Sequence, residues 1–198
     1  MKIIQHKEPF FHTIIYDFYN DREEQGIWQE LEFLNQPGKF LNKHFTGDGL
    51  ASNNKLGLHL DKVYPPEYRH LSNMLTADRK IFEIRDQLLE NPFAKYLEIC
   101  DQDFSFISYY PDKSYYKAHF DRFTLSGITT LWKQPQKFTG GDLRFPKHDY
   151  IPDMRHNTFI LFPSYELHEV RPIHIDKEWQ EKGFSRYTLN QFMMIRES

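Results

Sequence analysis

Phe104-Ser105-Phe106-Ile107-Ser108-Tyr109-Tyr110, then His119-Phe120-Asp121, then Gly127-Ile128-Thr129-Thr130-Leu131-Trp132, is the stretch on which the fold turns. Phe104, Phe106 and Ser108 face one way at the period of a strand, and Ser105, Ile107 and Tyr109 face the other. A second strand is expected at 127–132, and others at 142–145, 157–162 and 186–195, each bounded by turn residues. The first half reads differently. After an opening strand near 10–16, Asn20 or Asp21 caps a helix carrying Ile27, Trp28, Leu31 and Leu34, closed near Pro37-Gly38. Residues 39–65 are rich in Gly, Asn and Pro and read as irregular, a lid or part of a substrate wall. Leu71, Met74, Leu75, Phe82, Leu88 and Leu89 then recur at helical spacing until Asn91-Pro92. Helices followed by many short strands predict an α+β fold with a mainly β core, a sandwich or jelly roll braced by N-terminal helices.

The triplet His119-Phe120-Asp121 carries the chemistry. Side chains two apart on a strand share a face, so one metal ion is within reach of both. His168 follows the apolar run at 157–164 and supplies a third donor from another strand. Two imidazoles and one carboxylate on one face form the donor set of non-haem iron(II) oxygenases, which leaves coordination positions open. A thiolate-rich zinc or iron–sulfur site is closed to a chain whose one cysteine is Cys100. Two further triplets compete. His59-Leu60-Asp61 precedes a helix and reads as a loop or cap, and His174-Ile175-Asp176 lies in a polar stretch and reads as a solvated loop or lid. Arg186 opens a largely apolar strand. Turned inward it needs an anion, and its planar fork suits a carboxylate.

Length and composition narrow the classes. The 198 residues suffice for one domain with a substantial core, expected as a single unit over 1–198: an N-terminal strand with supporting helices over 1–100, and the strand-rich core with the metal site over 101–198. Aromatics reach 17 %, which favours strands and aromatic-lined pockets. A net charge of −3 without a basic stripe argues against duplex nucleic acid as a partner. The lone cysteine, the absence of an 18-residue apolar run and the short apolar start predict a cytoplasmic protein with no membrane partner.

In order along the chain, these residues resemble the prolyl 4-hydroxylase-like branch of the Fe(II)/2-oxoglutarate dioxygenases. Tyr110 stands nine residues before His119, His119-Phe120-Asp121 resembles the iron pair, and Thr139-Gly140-Gly141-Asp142-Leu143-Arg144-Phe145 resembles the glycine-pair strand start of that branch. Phe162-Pro163 through His168 to Pro172 resembles the segment carrying the distal histidine. The resemblance implies a double-stranded β-helix (jelly roll). It implies Fe(II) on His119, Asp121 and His168, and 2-oxoglutarate on Arg186 with a hydrogen bond from Tyr110. Ascorbate is the candidate reductant, and a peptidyl proline is the first-choice substrate. The long polar stretch between His168 and Arg186 departs from the family pattern and leaves Arg171 as a rival for the co-substrate. Where the family often has a second tyrosine, Thr129 and Thr130 stand. Tyr109, Tyr110, Tyr115, Tyr116, Phe120 and Phe123 suggest an aromatic groove for proline-rich chains. A hydroxylase of a free amino acid or metabolite, a zinc hydrolase using Glu166 or Glu169, a nucleic-acid demethylase and a non-catalytic binding module stay open as alternatives.

Overall fold

The computed structural model describes residues 1–34 and 51–195. Twelve strands are present among them: β1 Lys2–His6, β2 His12–Tyr16, β3 Leu56–His59, β4 Gln102–Tyr109, β5 Tyr116–His119, β6 Leu125–Leu131, β7 Phe138–Gly140, β8 Leu143–Arg144, β9 Thr158–Pro163, β10 His168–Val170, β11 Ile173–Ile175 and β12 Tyr187–Met194. Seven form one sheet in the order β1-β2-β9-β6-β12-β4-β3, antiparallel throughout. A three-stranded sheet, β5-β10-β8, and a pair, β11-β7, complete the β structure.

The period of two gives the large sheet two different faces. On β12, Tyr187, Leu189 and Met193 join the core shared with the helices, whereas Thr188, Asn190 and Phe192 line a cavity. On β4, Ile107 and Tyr109 face the helices, and Phe104 and Phe106 line the same cavity. Strand β9 divides likewise, with Phe159 and Leu161 toward the helices and Ile160 and Phe162 on the other side. Three of the seven strands come from the first 59 residues, so the large sheet draws on both halves of the chain.

Helix α1 (Asp21–Leu34) starts as the sequence suggests. The Asn20 side-chain oxygen accepts from the backbone N–H groups of Arg22 and Glu23, both at 3.0 Å, while Asn20 N donates to the Glu23 carboxylate at 2.8 Å. This reciprocal cap satisfies donors a helix start leaves open. Ile27, Leu31 and Leu34 are buried on its inner stripe. The expected closure near Pro37-Gly38, and the irregular segment as far as residue 50, lie outside the described residues.

Three expectations are corrected. The helix expected across 71–89 is broken into α3 (Asn73–Asp78), α4 (Lys80–Glu83) and a 3-10 turn at Arg85–Leu88, preceded by the short α2 (Leu60–Val63). Once it breaks, the 3.6-residue register no longer carries across, and Leu71 and Leu89 stand 62 % and 47 % exposed. The break falls at Asp78, whose carboxylate is buried and accepts from the Tyr19 hydroxyl at 2.8 Å and the Ser105 hydroxyl at 2.6 Å. Residues 55–63 are not irregular but contain β3 and α2, and the stretch 173–185 contains β11 and α5 (Lys177–Gln180). Strand β1 is an edge strand whose side chains are only half-buried, which is why its apolar pattern is weak.

Burial pushes the Asp78 carboxyl up to about 7, against the Ser105 and Tyr19 hydrogen bonds that pull it down. A carboxyl that binds its proton more tightly when folded stabilises the fold at low pH and loses that contribution as pH rises toward 7. Asp78→Asn should therefore gain stability relative to the unmutated chain as pH rises from about 4 to about 7. Urea midpoints of both proteins across that range give the test, and a difference independent of pH would refute the account.

Candidate metal centre

His119 and His168 are direct cross-strand partners, because β5 and β10 pair antiparallel with those two residues in register. Opposed residues on one face bring their side chains within about 5 Å. Each ring is held from behind. His119 Nδ1 lies 2.7 Å from the Lys117 carbonyl oxygen, and His168 Nδ1 lies 2.9 Å from that of Glu166. A carbonyl only accepts, so Nδ1 carries the proton in each ring and Nε2 is left as a lone-pair donor for a metal.

Both Nε2 atoms point at one carboxylate. His119 Nε2 is 3.7 Å from Asp121 Oδ1, and His168 Nε2 is 3.5 Å from Asp121 Oδ2. The three donor atoms all lie within 4.8 Å of one another, the one such His/Cys/Asp/Glu group among the described residues. Asp121 itself lies just beyond the end of β5, not within the strand as the spacing suggested. Its backbone N–H donates to the Ser164 carbonyl at 3.0 Å, and its Oδ2 accepts from the Ser126 hydroxyl at 2.5 Å. Ser126 and Ser164, which sequence reasoning missed, thus fix the carboxylate rotamer from β6 and from the end of β9.

The electrostatics favour the metal-binding state. Burial, then the neighbouring His168, lowers His119 to about 4, and burial lowers His168 to about 4. Both imidazoles are neutral at pH 7, the form that ligates.

Arg186 sits immediately before β12 and is 3 % exposed. Its Nη1 donates to the Gly141 carbonyl, and its guanidinium lies over the Tyr110 ring at 5.4 Å. Burial pulls it below the ordinary arginine range, opposed electrostatically by Tyr110 and Asp142. Its Nη2 is buried with no hydrogen-bond partner in the protein. A buried guanidinium N–H left open toward a cavity fits an anionic oxygen arriving from outside. Gly140 (φ 69°) and Gly141 (φ 75°) make the turn that presents the Gly141 carbonyl. A Cβ at Gly140 would collide with the Pro172 carbonyl oxygen.

One cavity of about 350 Å³ joins the three donors to Arg186 and Tyr110. Arg171 is exposed and lies outside it. Tyr110 is buried on its wall and hydrogen-bonded to Thr188. Thr188 on β12 is the wall hydroxyl. Thr129 instead approaches Tyr19 on the helix side, and Thr130 donates to the Arg155 carbonyl. Of the aromatic residues around the triplet, Tyr110, Tyr116 and Phe123 line the cavity. Tyr109 packs on Tyr187, Tyr115 bonds to Ser52, and Phe120 is exposed. His59 lines the cavity from the end of β3, without capping α2, while Asp61 binds Arg69 and accepts from Ser105 N. His174 is exposed, on β11 and not in a loop. Glu166 and Glu169, the bases a zinc hydrolase would want, bond to His148 and Arg144 and do not line the cavity. Lys55, Thr188 and Asn190 also line it and were missed. The last two show no signal beyond inward parity on β12, and Lys55 precedes a strand whose alternation is blurred by Gly57.

Low histidine pKa values move proton competition to acid pH. Mn(II) titrations of the apo-protein should therefore show affinity nearly constant from about pH 7.5 to 5.5 and failing toward pH 4. A tenfold loss already at about pH 6 would show histidines of ordinary basicity and overturn the assignment of cause.

A model of the 2OG-Fe(II) oxygenase superfamily matches residues 104–194. A prolyl-4-hydroxylase from Pseudomonas putida is similar in structure at a TM-score of 0.60 and 18 % identity, over 94 % of this chain and 93 % of that one. A viral collagen prolyl hydroxylase from Paramecium bursaria Chlorella virus-1, solved with 2-oxoglutarate, is similar at 0.56 and 14 %, over 96 % and 98 %. An oxidoreductase of the 2OG-Fe(II) oxygenase family from Burkholderia pseudomallei is similar at 0.61 and 15 %, over 94 % and 86 %. No curated protein sequence matches the chain. The family match opens within β4, ends with β12 and takes in Tyr110, His119, Asp121, His168 and Arg186, so the strand-rich part of the chain, with every candidate site residue, is similar to the 2OG-Fe(II) oxygenase superfamily.

Proposed function

We propose that this protein is an Fe(II)/2-oxoglutarate-dependent dioxygenase of the prolyl 4-hydroxylase-like kind that hydroxylates a C–H bond of a prolyl residue in a protein or peptide, with His119, Asp121 and His168 holding Fe(II) and with Arg186 and Tyr110 holding 2-oxoglutarate. The observation that carries the reading is the open Nη2 of Arg186, buried in the same cavity as three convergent metal donors. A dicarboxylate supplies what both ends lack: a chelating keto acid for the metal and a far carboxylate for the guanidinium. When bound, the metal and co-substrate supply an oxidant from dioxygen, with one oxygen atom leaving in succinate, carbon dioxide released, and the other entering the substrate.

The chain's own residues do the rest. Lys117 and Glu166 carbonyls keep both Nε2 atoms turned inward, and Ser126 holds the Asp121 carboxylate in place by donating to it. Ile128 and Val170 exclude water beside the donors, as a reactive oxidant demands. Phe104, Phe123 and Phe192 also line the cavity, with Phe123 stacked on Phe192 at 4.7 Å and 6.2 Å from Phe104. Such rings suit a proline-rich chain, and two of the similar structures are described as prolyl hydroxylases. The same reading takes the two larger sheets as walls of a double-stranded β-helix braced by the helices, over one unit spanning 1–198. The single cysteine supports a cytoplasmic location.

Anaerobic addition of Fe(II) and then 2-oxoglutarate should produce the visible charge-transfer band of the chelate, absent from His119→Ala. Arg186→Ala should weaken 2-oxoglutarate on the order of tenfold to a hundredfold, with Fe(II) binding retained. Mass spectrometry of proline-containing peptides under turnover should show the gain of one oxygen atom. A band indifferent to His119, or 2-oxoglutarate affinity indifferent to Arg186, would overturn the site; oxygenation confined to non-prolyl substrates would overturn the substrate.

A further inference from the structure

Asn190 is buried at 7 % exposure on the wall of the same cavity, within β12, and the proposed function gives it no task. On the cavity side this stretch of chain reads Arg186, Thr188, Asn190 and Phe192, with steps of roughly 7 Å between them. Arg186 and Thr188, the latter bonded to Tyr110, belong to the co-substrate's end. Phe192, stacked on Phe123, belongs to the aromatic end. Asn190 stands between the two, opposite Phe106 on β4 and Ile128 on β6. Its diagonal neighbour on β6 is Ser126, which donates to Asp121, so a metal donor is held beside the same stretch of wall.

The Asn190 amide has one possible orientation. Its Nδ2 lies 3.1 Å from the Phe106 carbonyl oxygen and 3.4 Å from that of Thr188, and a carbonyl only accepts. The Thr188 and Ser108 hydroxyls lie 3.2 and 3.4 Å from the same nitrogen. The nitrogen is therefore spent on β4 and β12, and Oδ1 is turned to the cavity, with no donor on it among the described residues.

A buried amide oxygen calls for a donor from whatever fills the space before it. 2-Oxoglutarate brings none at neutral pH, because carboxylates and a keto oxygen only accept. A prolyl residue within a peptide brings none either, since its nitrogen carries no hydrogen. The first N–H after the ring is that of the following residue.

Resting on the functional reading above, we propose that Asn190 is a specificity-determining residue whose Oδ1 accepts the backbone N–H of the residue that follows the target proline. The contact fixes the peptide's register against the metal donors and rejects a second proline at the next position, which has no N–H to give.

The test uses the full chain loaded with Fe(II) and 2-oxoglutarate without oxygen, following the shift of the charge-transfer band as peptide binds, with mass spectrometry under turnover alongside. The probes are the amide of N-acetyl-Ala-Pro-Ala and the same peptide with L-lactic acid in place of the last alanine. The second compound turns the Pro–Ala amide into an ester of nearly equal shape and removes the one N–H in question. The amide should bind about tenfold more tightly than the ester. Asn190→Leu, close in volume and without polar side-chain atoms, should bind both alike. Asn190→Asp keeps an acceptor oxygen and loses the Nδ2 bonds, so it should unfold at a lower temperature yet keep the preference. A merely structural role would move both variants together, and the peptide pair on the unmutated chain decides the matter even where a variant fails to fold. Equal binding of amide and ester, a preference that survives in Asn190→Leu, or one lost in folded Asn190→Asp would overturn the proposal. If the peptides gain one oxygen atom yet bind equally, the functional reading stands and the proposal alone falls; if neither binds nor gains oxygen, both fall.

Discussion

His119 faces His168 across the antiparallel pair β5 and β10, and the rest of the cavity is arranged about that contact. A one-residue slip in this register would turn one ring to the opposite face of the sheet. The carbonyls of Lys117 and Glu166 then decide which nitrogen of each ring looks inward. Asp121 completes the set from beyond the strand end, where its backbone N–H is anchored on Ser164 and its carboxylate on Ser126. Four separate segments thus bring donor atoms within 4.8 Å of one another, and burial keeps both imidazoles in the ligating form.

The large sheet serves two solvents at once. Its outer face is sealed by α1 and α3, with Glu30 of α1 accepting from Ser72 Oγ at 2.7 Å and Met74 N at 2.9 Å at the start of α3. Its inner face carries Phe106, Tyr110, Thr188 and Asn190 toward the cavity. Strict alternation on β4 and β12 makes this possible, since each strand gives one parity of residues to stability and the other to chemistry. The polar groups at Asp78 and Glu30 are tolerated on the helix side because each accepts two hydrogen bonds from within the fold.

The cavity gathers charged groups from several segments. Arg186, the metal donors, Lys55 and Lys62 all line it. A buried guanidinium with one open N–H is costly in an apolar interior. Groups of this kind are explained more readily by recognition than by packing.

The sequence by itself determined the donor types, their order and the strands that carry most of them. His119-Phe120-Asp121 flanked by two strand-like runs, His168 after an apolar run and Arg186 before another were legible because strand periodicity and turn residues are local signals. It also separated the helical first half from the strand-rich second. Tertiary structure alone decided the remainder. It placed His119 opposite His168, buried Arg186 rather than Arg171, and broke the helix at Asp78 so that a carboxylate meets Tyr19 and Ser105. It brought β1 and β3 into the sheet and carried Lys55 into the cavity, where no local pattern marks it. The physical reason is the same in each instance: register, burial and charge pairing join residues far apart in the chain, and no window of neighbouring residues contains them.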